Sequence, residues 1–193
     1  MIRYAITDPS TLRSGHFRED LERMAERGAT MLLYRDKRNP EYARFAEGFV
    51  AVARELPFEK ILLHNEPELA RRLGVDGVHL ASNRIDLIPA AKRFGLNCVV
   101  STHTLAEAQK AQELGAEMIT LSPLFPSPGK GEALGSERFA AMLRQIEIPV
   151  IALGGIVDEE SIAKALETGA AGFASIRYFS GGDGKNIREP ISF

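Results

Sequence analysis

The sequence has little cysteine and no strong excess of either charge, and both absences exclude classes of function. Cys98 is the only cysteine among 193 residues, so an intramolecular disulfide and a cysteine-based metal cluster are excluded. A lone cysteine suits a reducing compartment, and we expect a cytoplasmic protein. The formal net charge of −2 gives no general attraction to nucleic acid or to an anionic membrane.

Long hydrophobic runs are also missing. No run approaches the roughly 20 apolar residues of a membrane span, and the segment after Met1 has no signal-peptide layout. We therefore expect neither a membrane nor a nucleic-acid partner. The hydrophobic share of 45% is ordinary for a globular protein, and the length suits one domain.

What the sequence does contain is a regular alternation of two patterns. Short apolar runs rich in β-branched residues are followed by stretches with apolar residues at helical spacing. Several runs are apolar at consecutive positions, as in strands buried on both faces of a parallel sheet. We predict eight strands, at 4–7, 31–35, 60–65, 77–82, 97–102, 118–123, 149–154 and 172–177. We predict helices at 17–27, 41–55, 105–114 and 158–168.

Glycine marks the end of each unit. Helices are predicted to end at Gly28, Gly74, Gly95, Gly115 and Gly169, and a strand soon follows each. Glycine just past a helix accepts the left-handed conformation, and a corner repeated about every 20 residues indicates stacked βα units. With eight strands this predicts a compact (β/α)₈ TIM barrel over residues 1–180. An open doubly wound sheet is the alternative, but no Gly-x-Gly-x-x-Gly follows the first strand.

The end of the chain departs from the repeat. The residues after Arg177 are few and rich in glycine and proline, so we expect a truncated last helix and a C-terminal tail at 181–193. A second subunit could cover that edge, which makes a homo-oligomer an open expectation.

The functional site of such a barrel lies at the carboxyl ends of its strands. The residues predicted there are rich in cations, hydroxyls and glycines and poor in carboxylates, a pattern typical of anion binding. They are Thr7, Asp8, Arg35, Asp36, Lys37, Arg38, His64, Asn65, Ser82, Asn83, Arg84, Ser101, Thr102, His103, 122–130, Gly154, Gly155 and Arg177.

Two glycine-containing loops stand out among them. Gly154 and Gly155 precede a predicted helix, where exposed N–H groups can bind a phosphate; the alternative is a tight turn. Their place after the seventh strand favours the phosphate interpretation. The loop 122–132 is long for a βα connection and rich in proline and glycine. It is either a lid whose Lys130 reaches a substrate anion or a solvated surface loop.

The histidines and the first cations need separate weighing. His64 and His103 lie at strand ends and can exchange protons near neutral pH, although a structural role is the more frequent one for a lone histidine. His79 is mid-strand, so we expect a structural histidine inside the barrel. Arg35 directly follows a buried strand, which favours a ligand role over a solvated turn. No histidine pair has metal-ligand spacing.

Six segments in fixed order resemble one family, the thiamine phosphate synthase and thiazole tautomerase (TenI) superfamily. The segments are YAITD at 4–8, LYRDK at 33–37, LARRLGVDGVHL at 69–80, STHT at 101–104, LSPLFPSPGK at 121–130 and PVIALGGI at 149–156. The resemblance implies a (β/α)₈ barrel that binds a small thiazole phosphate. It places the phosphate on Gly154 and Gly155 and on the loop after strand eight, at Ile176 and Arg177.

The synthase joins a pyrimidine methyl pyrophosphate to the thiazole phosphate and uses magnesium. The resemblance implies pyrophosphate contacts at Arg35, Lys37 and Ser101, and lid positions at Ser127 and Lys130. Its glutamine on strand two falls on Leu33. The magnesium carboxylates fall on Asn65 and on or near Arg84, and magnesium prefers oxygen ligands. We therefore expect no metal cofactor, and magnesium only if synthase activity is retained.

The tautomerase needs no metal, but its acid/base histidine at the end of strand six falls on Pro123. His64 is a candidate replacement, since general acid/base catalysis contributes about 10²–10⁴-fold wherever the group reaches the substrate. We expect a TenI-like isomerase with His64, His103 and Lys130 as catalytic residues. The alternatives are a synthase-type transferase and a non-catalytic binder of thiazole or thiamine phosphate.

Overall fold

The eight apolar runs form eight short parallel strands. The computed structural model describes residues 1–13 and 15–181. The strands are β1 (Ile2–Ile6), β2 (Met31–Tyr34), β3 (Lys60–His64), β4 (Gly77–Leu80), β5 (Asn97–Thr102), β6 (Met118–Leu121), β7 (Val150–Leu153) and β8 (Gly172–Ser175). They pair in chain order, and β1 pairs with β8, so the sheet is a closed barrel. The predicted (β/α)₈ TIM barrel is confirmed.

A helix follows each strand within the described residues. The helices are α1 (Phe17–Glu26), α2 (Tyr42–Ala53), α3 (Pro67–Leu73), α4 (Ile88–Arg93), α5 (Leu105–Glu113), α6 (Gly135–Leu143), α7 (Glu159–Glu167) and α8 (Arg177–Ser180), with a 3₁₀ turn at Ser82–Leu87 before α4. The four predicted helices are α1, α2, α5 and α7. The last helix is one turn long, as expected, and the predicted tail from residue 182 onward lies outside the described residues.

Local chemistry explains where these helices begin and end. Thr104 caps α5 by accepting a hydrogen bond from the Glu107 N–H, and Asp158 forms a reciprocal capping box with Ser161 at the start of α7. The five glycines predicted to end helices all have positive φ, between 64° and 93°. The repeated αβ corner is therefore confirmed.

Two apolar layers make up the core. An inner layer fills the barrel and includes Tyr4, Leu33, Leu62, Val99 and Ile151. An outer layer lies between the strands and the helices. Burial on both faces explains the consecutive apolar residues in the strands. The barrel interior is packed with side chains, and the site of such a fold forms at the carboxyl ends of the strands.

Among the described residues, no helix is long and apolar enough to cross a membrane.

Candidate active site at the carboxyl ends of the strands

A cavity of about 440 Å³ opens at the carboxyl ends of the strands. The structure brings all eleven predicted site residues to its wall: Arg35, Lys37, His64, Ser101, His103, Ser127, Lys130, Gly154, Gly155, Ile176 and Arg177. The binding and catalytic roles given to these residues stay predictions. The cavity is within the size range of small-molecule sites.

Unpaired backbone N–H groups border the cavity at the ends of β7 and β8. Gly155, Ile156, Ile176 and Arg177 have N–H groups with no hydrogen-bond partner among the described residues. Several N–H groups on a concave surface form an anion-binding nest. The hydroxyl of Ser175 donates to the Ile156 carbonyl at 2.7 Å and so joins the two loops. We call the loops 154–156 and 176–177 the backbone cradle.

The two glycines of the cradle also leave room for the chain segment 123–126, which leads into the loop after β6. Gly154 has φ 99° and Gly155 has φ 69°. A Cβ on Gly155 would lie 2.7 Å from the Phe125 Cβ, and one on Gly154 would lie 2.7 Å from the Pro123 Cα. Close packing against segment 123–126 therefore also requires glycine at this turn. The interpretation of Gly154-Gly155 as a phosphate-binding loop and its interpretation as a tight turn are compatible.

Backbone hydrogen bonds fix both ends of the loop after β6, at residues 123–125 and 134–135, which we call the neck of the lid. The Phe125 N–H donates to the Gly154 carbonyl at 3.1 Å, and the Leu134 N–H donates to the Pro123 carbonyl at 2.9 Å. The Gly135 N–H donates to the Leu124 carbonyl at 3.0 Å. The lid, which we define as residues 126–133, thus starts and ends at a fixed point beside the cradle.

Cations without counter-ions gather on the other side of the cavity. Arg35 follows β2, and its N–H donates to the hydroxyl of the buried Thr7 at 3.2 Å. Partial burial lowers the pKa of Lys37, and the neighbouring Arg35 and Lys130 cations lower it further. Among the described residues, Arg35, Lys37 and Lys130 form no salt bridge. We call these three residues the cation group; it is open to an incoming anion.

His64 is neutral at physiological pH. Its side chain is buried at the end of β3. Burial lowers the pKa of His64 to about 4, with further contributions from Arg35, Lys37 and Arg84. An imidazole in this state can accept a proton from a substrate but cannot serve as a resting acid.

His103 is exposed at the end of β5 and contacts the end of β6. Its Nδ1 lies 3.0 Å from the Ser122 carbonyl oxygen and 3.2 Å from the Ser122 hydroxyl. In the neutral tautomer whose Nδ1–H donates to the carbonyl, Nε2 carries the lone pair that can accept a proton. Although Pro123 follows β6 at the position of the family's histidine, the His103 imidazole lies beside its neighbour Ser122.

His79 is the structural histidine that its mid-strand position predicts. It is buried inside the barrel, between the Tyr4 hydroxyl and the Ser101 hydroxyl, each at 2.8 Å. Sequence reasoning gave no role to Tyr4, because its partner is distant in the chain. The only available signal was the inward position of both residues, which lie on the non-adjacent strands β1 and β4 of the closed barrel.

The residues present do not fit a magnesium site at the positions the resemblance implies. The Asn65 Oδ1 already accepts a hydrogen bond from the Ala81 N–H at 2.8 Å. Arg84 borders an adjoining cavity of about 430 Å³ together with two carboxylates, Asp36 and Glu66. The described part of the chain has no cluster of three His, Cys, Asp or Glu side chains able to hold a metal. Magnesium prefers carboxylate oxygens, and a cation at this place opposes it.

Fold and site together define a class: a (β/α)₈ barrel whose catalytic face carries a cationic cavity and a backbone nest for anions. Residues 3–179 match the thiamine monophosphate synthase family. The chain belongs to that family, and the resemblance inferred from the sequence is confirmed.

Named relatives agree with this assignment. A thiamine-phosphate synthase of Syntrophomonas wolfei is 28% identical over 96% of this chain and 94% of its own length. A putative thiamine-phosphate synthase 2 of Aquifex aeolicus is 34% identical over 91% of this chain and 96% of its own. The structure of a thiamine phosphate pyrophosphorylase from Pyrococcus furiosus has a TM-score of 0.80 and 26% identity, and covers 94% of this chain and 88% of that one.

These names bear on the predicted reaction. All three relatives are named for the synthase or pyrophosphorylase activity, and none for a tautomerase. They support an enzyme of thiamine biosynthesis. They do not support the preference for an isomerase and favour the transferase alternative.

Proposed function

We propose that the protein is a transferase of the thiamine-phosphate synthase type, which joins a pyrimidine methyl diphosphate to a thiazole phosphate. The observation that carries this proposal is that one cavity is lined by two separate groups whose chemistry suits anions. The backbone cradle belongs to β7 and β8, whereas the cation group and His64 belong to β2, β3 and the lid. Two such groups can hold two phosphorylated substrates at the same time.

The reaction asks the protein for charge stabilisation and positioning. The lone pair of the thiazole nitrogen forms a bond to the pyrimidine methylene carbon. The bond from that carbon to the diphosphate oxygen breaks, and its electron pair leaves with pyrophosphate. Negative charge therefore grows on the leaving group, which the cation group, the Ser101 hydroxyl and the lid residue Ser127 would stabilise in place.

Side-chain cations take the place of magnesium in this proposal. The position of one magnesium carboxylate is Asn65, whose side-chain oxygen is engaged with Ala81, and Arg84 lies beside it. Three uncompensated cations face the cavity. They can offset the charge of a diphosphate without a divalent ion. The absence of a metal cofactor, the thiazole phosphate ligand and a cytoplasmic location remain expectations.

A second candidate is the metal-independent tautomerase. The observation in its favour is His103, whose Nδ1 lies beside Ser122 after β6 and whose side chain borders the cavity. The substrate would be the carboxythiazole phosphate tautomer, and the product its aromatic isomer. His64 would then be a neutral second base.

One assay separates the candidates. The purified protein is incubated with both synthase substrates, in magnesium and in EDTA, and thiamine phosphate and pyrophosphate are quantified. We expect thiamine phosphate and pyrophosphate in equal amounts, and as much of each in EDTA as in magnesium. With the carboxythiazole phosphate tautomer supplied in place of the thiazole phosphate, aromatisation without pyrophosphate release would favour the tautomerase. Calorimetric binding of thiazole phosphate with no turnover of any substrate would indicate a non-catalytic binder and overturn the proposal.

A further inference from the structure

A buried chain of hydrogen bonds ends at the cavity on Ser101. The Tyr4 hydroxyl lies 2.8 Å from the His79 Nδ1, and the His79 Nε2 lies 2.8 Å from the Ser101 hydroxyl. Tyr4 and His79 are buried, whereas Ser101 is half-buried and borders the cavity. The chain therefore connects the closed interior of the barrel to the ligand side.

Two proton arrangements would satisfy these distances. In the first, Tyr4 donates to Nδ1 and Nε2–H donates to Ser101, whose own proton is free. In the second, Ser101 donates to Nε2 and Nδ1–H donates to Tyr4, whose own proton is free. The two arrangements differ only in the end at which an unpaired O–H remains.

Burial distinguishes them. The Tyr4 hydroxyl has no other hydrogen-bond partner among the described residues, so the second arrangement would leave a buried O–H without an acceptor. A buried unpaired donor is strongly unfavourable. Ser101 borders the cavity, where water or a ligand can accept its proton. The first arrangement satisfies every group.

We propose that His79 is fixed as the Nε2–H tautomer and that it positions Ser101 as a hydrogen-bond donor toward an anionic ligand. His79 is thus a positioning residue that acts through Ser101. The alternative tautomer would turn the Ser101 lone pairs toward the anion and weaken its binding. The tautomer assignment is independent of the proposed function; its effect on a diphosphate ligand rests on that function.

The surroundings keep the ring neutral and oriented. Burial, with smaller contributions from His64, Arg35 and Lys37, lowers the pKa of His79 to about 3. Burial also raises the pKa of Tyr4, so its proton is available to donate. The Tyr4 and His79 rings are stacked, with centroids 5.7 Å apart and planes 27° apart. The His79 ring is therefore neutral and fixed in orientation, so its single proton is on either Nδ1 or Nε2.

The tautomer is tested directly by nuclear magnetic resonance on the wild-type protein labelled with ¹⁵N-histidine. We expect the cross-peak pattern of an Nε2-protonated ring for His79, assigned by its loss in His79→Gln. A pattern of an Nδ1-protonated ring would overturn the proposal. Because this measurement needs no ligand, it stands even if the protein proves not to be a synthase.

The effect on the ligand is tested with inorganic pyrophosphate by calorimetry. We expect Ser101→Ala to weaken binding about tenfold, since a hydrogen bond to a charged group is lost. His79→Leu should weaken it as much, and the double variant no more than either single one. His79→Gln, whose amide can donate from a position near Nε2, should restore most of the affinity.

Additive losses in the double variant would show that His79 supports the fold rather than Ser101, and would contradict the proposal. Failure of the wild-type protein to bind pyrophosphate would instead count against the proposed function. That result would leave the tautomer to be decided by the spectrum.

Discussion

The side-chain oxygen of Asn65 accepts a hydrogen bond from the backbone N–H of Ala81 at 2.8 Å, and so links the ends of β3 and β4. Asn65 has φ 59°, in the left-handed region that asparagine tolerates better than most residues. The fold therefore accounts for an asparagine at the position where the family resemblance implies a magnesium carboxylate. Substitution of Asn65 should lower the free energy of unfolding in two parts, one from the lost hydrogen bond and one from the left-handed backbone conformation.

Asn65→Ala should destabilise the protein by about 1–3 kcal/mol in urea denaturation, because it loses the hydrogen bond and places a Cβ-bearing residue without a local partner at positive φ. Asn65→Gly keeps the backbone freedom and should lose less. Asn65→Asp keeps the acceptor, so we expect near wild-type stability and product formation that EDTA still does not reduce. Equal losses for alanine and glycine would show that the conformation plays no part.

The cation group can be tested against a neighbour of the same charge. Lys37→Gln should weaken pyrophosphate binding about tenfold, since a charge-assisted hydrogen bond is lost. Arg38→Gln removes a charge from the next residue, which borders neither cavity, and should change the affinity little. Calorimetry at two salt concentrations measures both. Equal effects of the two variants would indicate a general surface field rather than a site.

Gly155 both belongs to the backbone cradle and packs directly against the start of the lid. Gly155→Ala should greatly weaken binding of the thiazole phosphate, because the new Cβ would meet the Phe125 Cβ at 2.7 Å and the Pro126 carbonyl at 2.8 Å. Gly129→Ala is the matched control: its φ of 70° is almost the same as the 69° of Gly155, but nothing lies within 4 Å of the added Cβ. It should cost only about 1 kcal/mol of backbone strain. Similar losses of affinity in the two variants would exclude the contact as the cause.

His64 makes the stability of the protein depend on pH. Its folded pKa of about 4 lies below the ordinary value of 6.5, so the unfolded chain binds more protons between these values. Stability should therefore fall as the pH drops below 6.5. The contribution of His64 between pH 7 and pH 5 is about 2 kcal/mol. His79, with a pKa of about 3, acts in the same direction.

Urea denaturation of the wild type and of His64→Leu at pH 7 and pH 5 measures this contribution. The variant should lose about 2 kcal/mol less than the wild type over that interval, since leucine does not titrate. Equal losses in the wild type and the variant would show that folding does not lower the pKa of His64 and would contradict the prediction.

The barrel could be predicted from the sequence because its signals are local. Each apolar run is buried on both faces, and a left-handed glycine ends the helix before five of the strands. The predicted strands ran past the observed ends where polar site residues such as Arg35 and Asn65 follow directly. Helices α3 and α4 were predicted only by the glycines that end them, because seven and six residues are too few to show a helical period, and α6 was not predicted.

The site residues could also be collected from the sequence, since the carboxyl ends of barrel strands meet at one face. Their mutual contacts could not. Tyr4 and His79 are 75 residues apart, and their hydrogen bond depends on which side chains point inward. The contact of His103 with Ser122 likewise depends on the register of β5 and β6. The preference for an isomerase rested on single-residue departures, which carry less weight than similarity along the whole chain.

The neck of the lid has a consequence for the thermodynamics of ligand binding. Because Leu134 and Gly135 are already bonded to Pro123 and Leu124, the two ends of the loop are closed before any ligand arrives. The entropy of bringing them together has been lost on folding and is not lost again on binding. Closure over a ligand then restricts only residues 126–133, so a larger part of the contact energy from Ser127 and Lys130 remains as affinity.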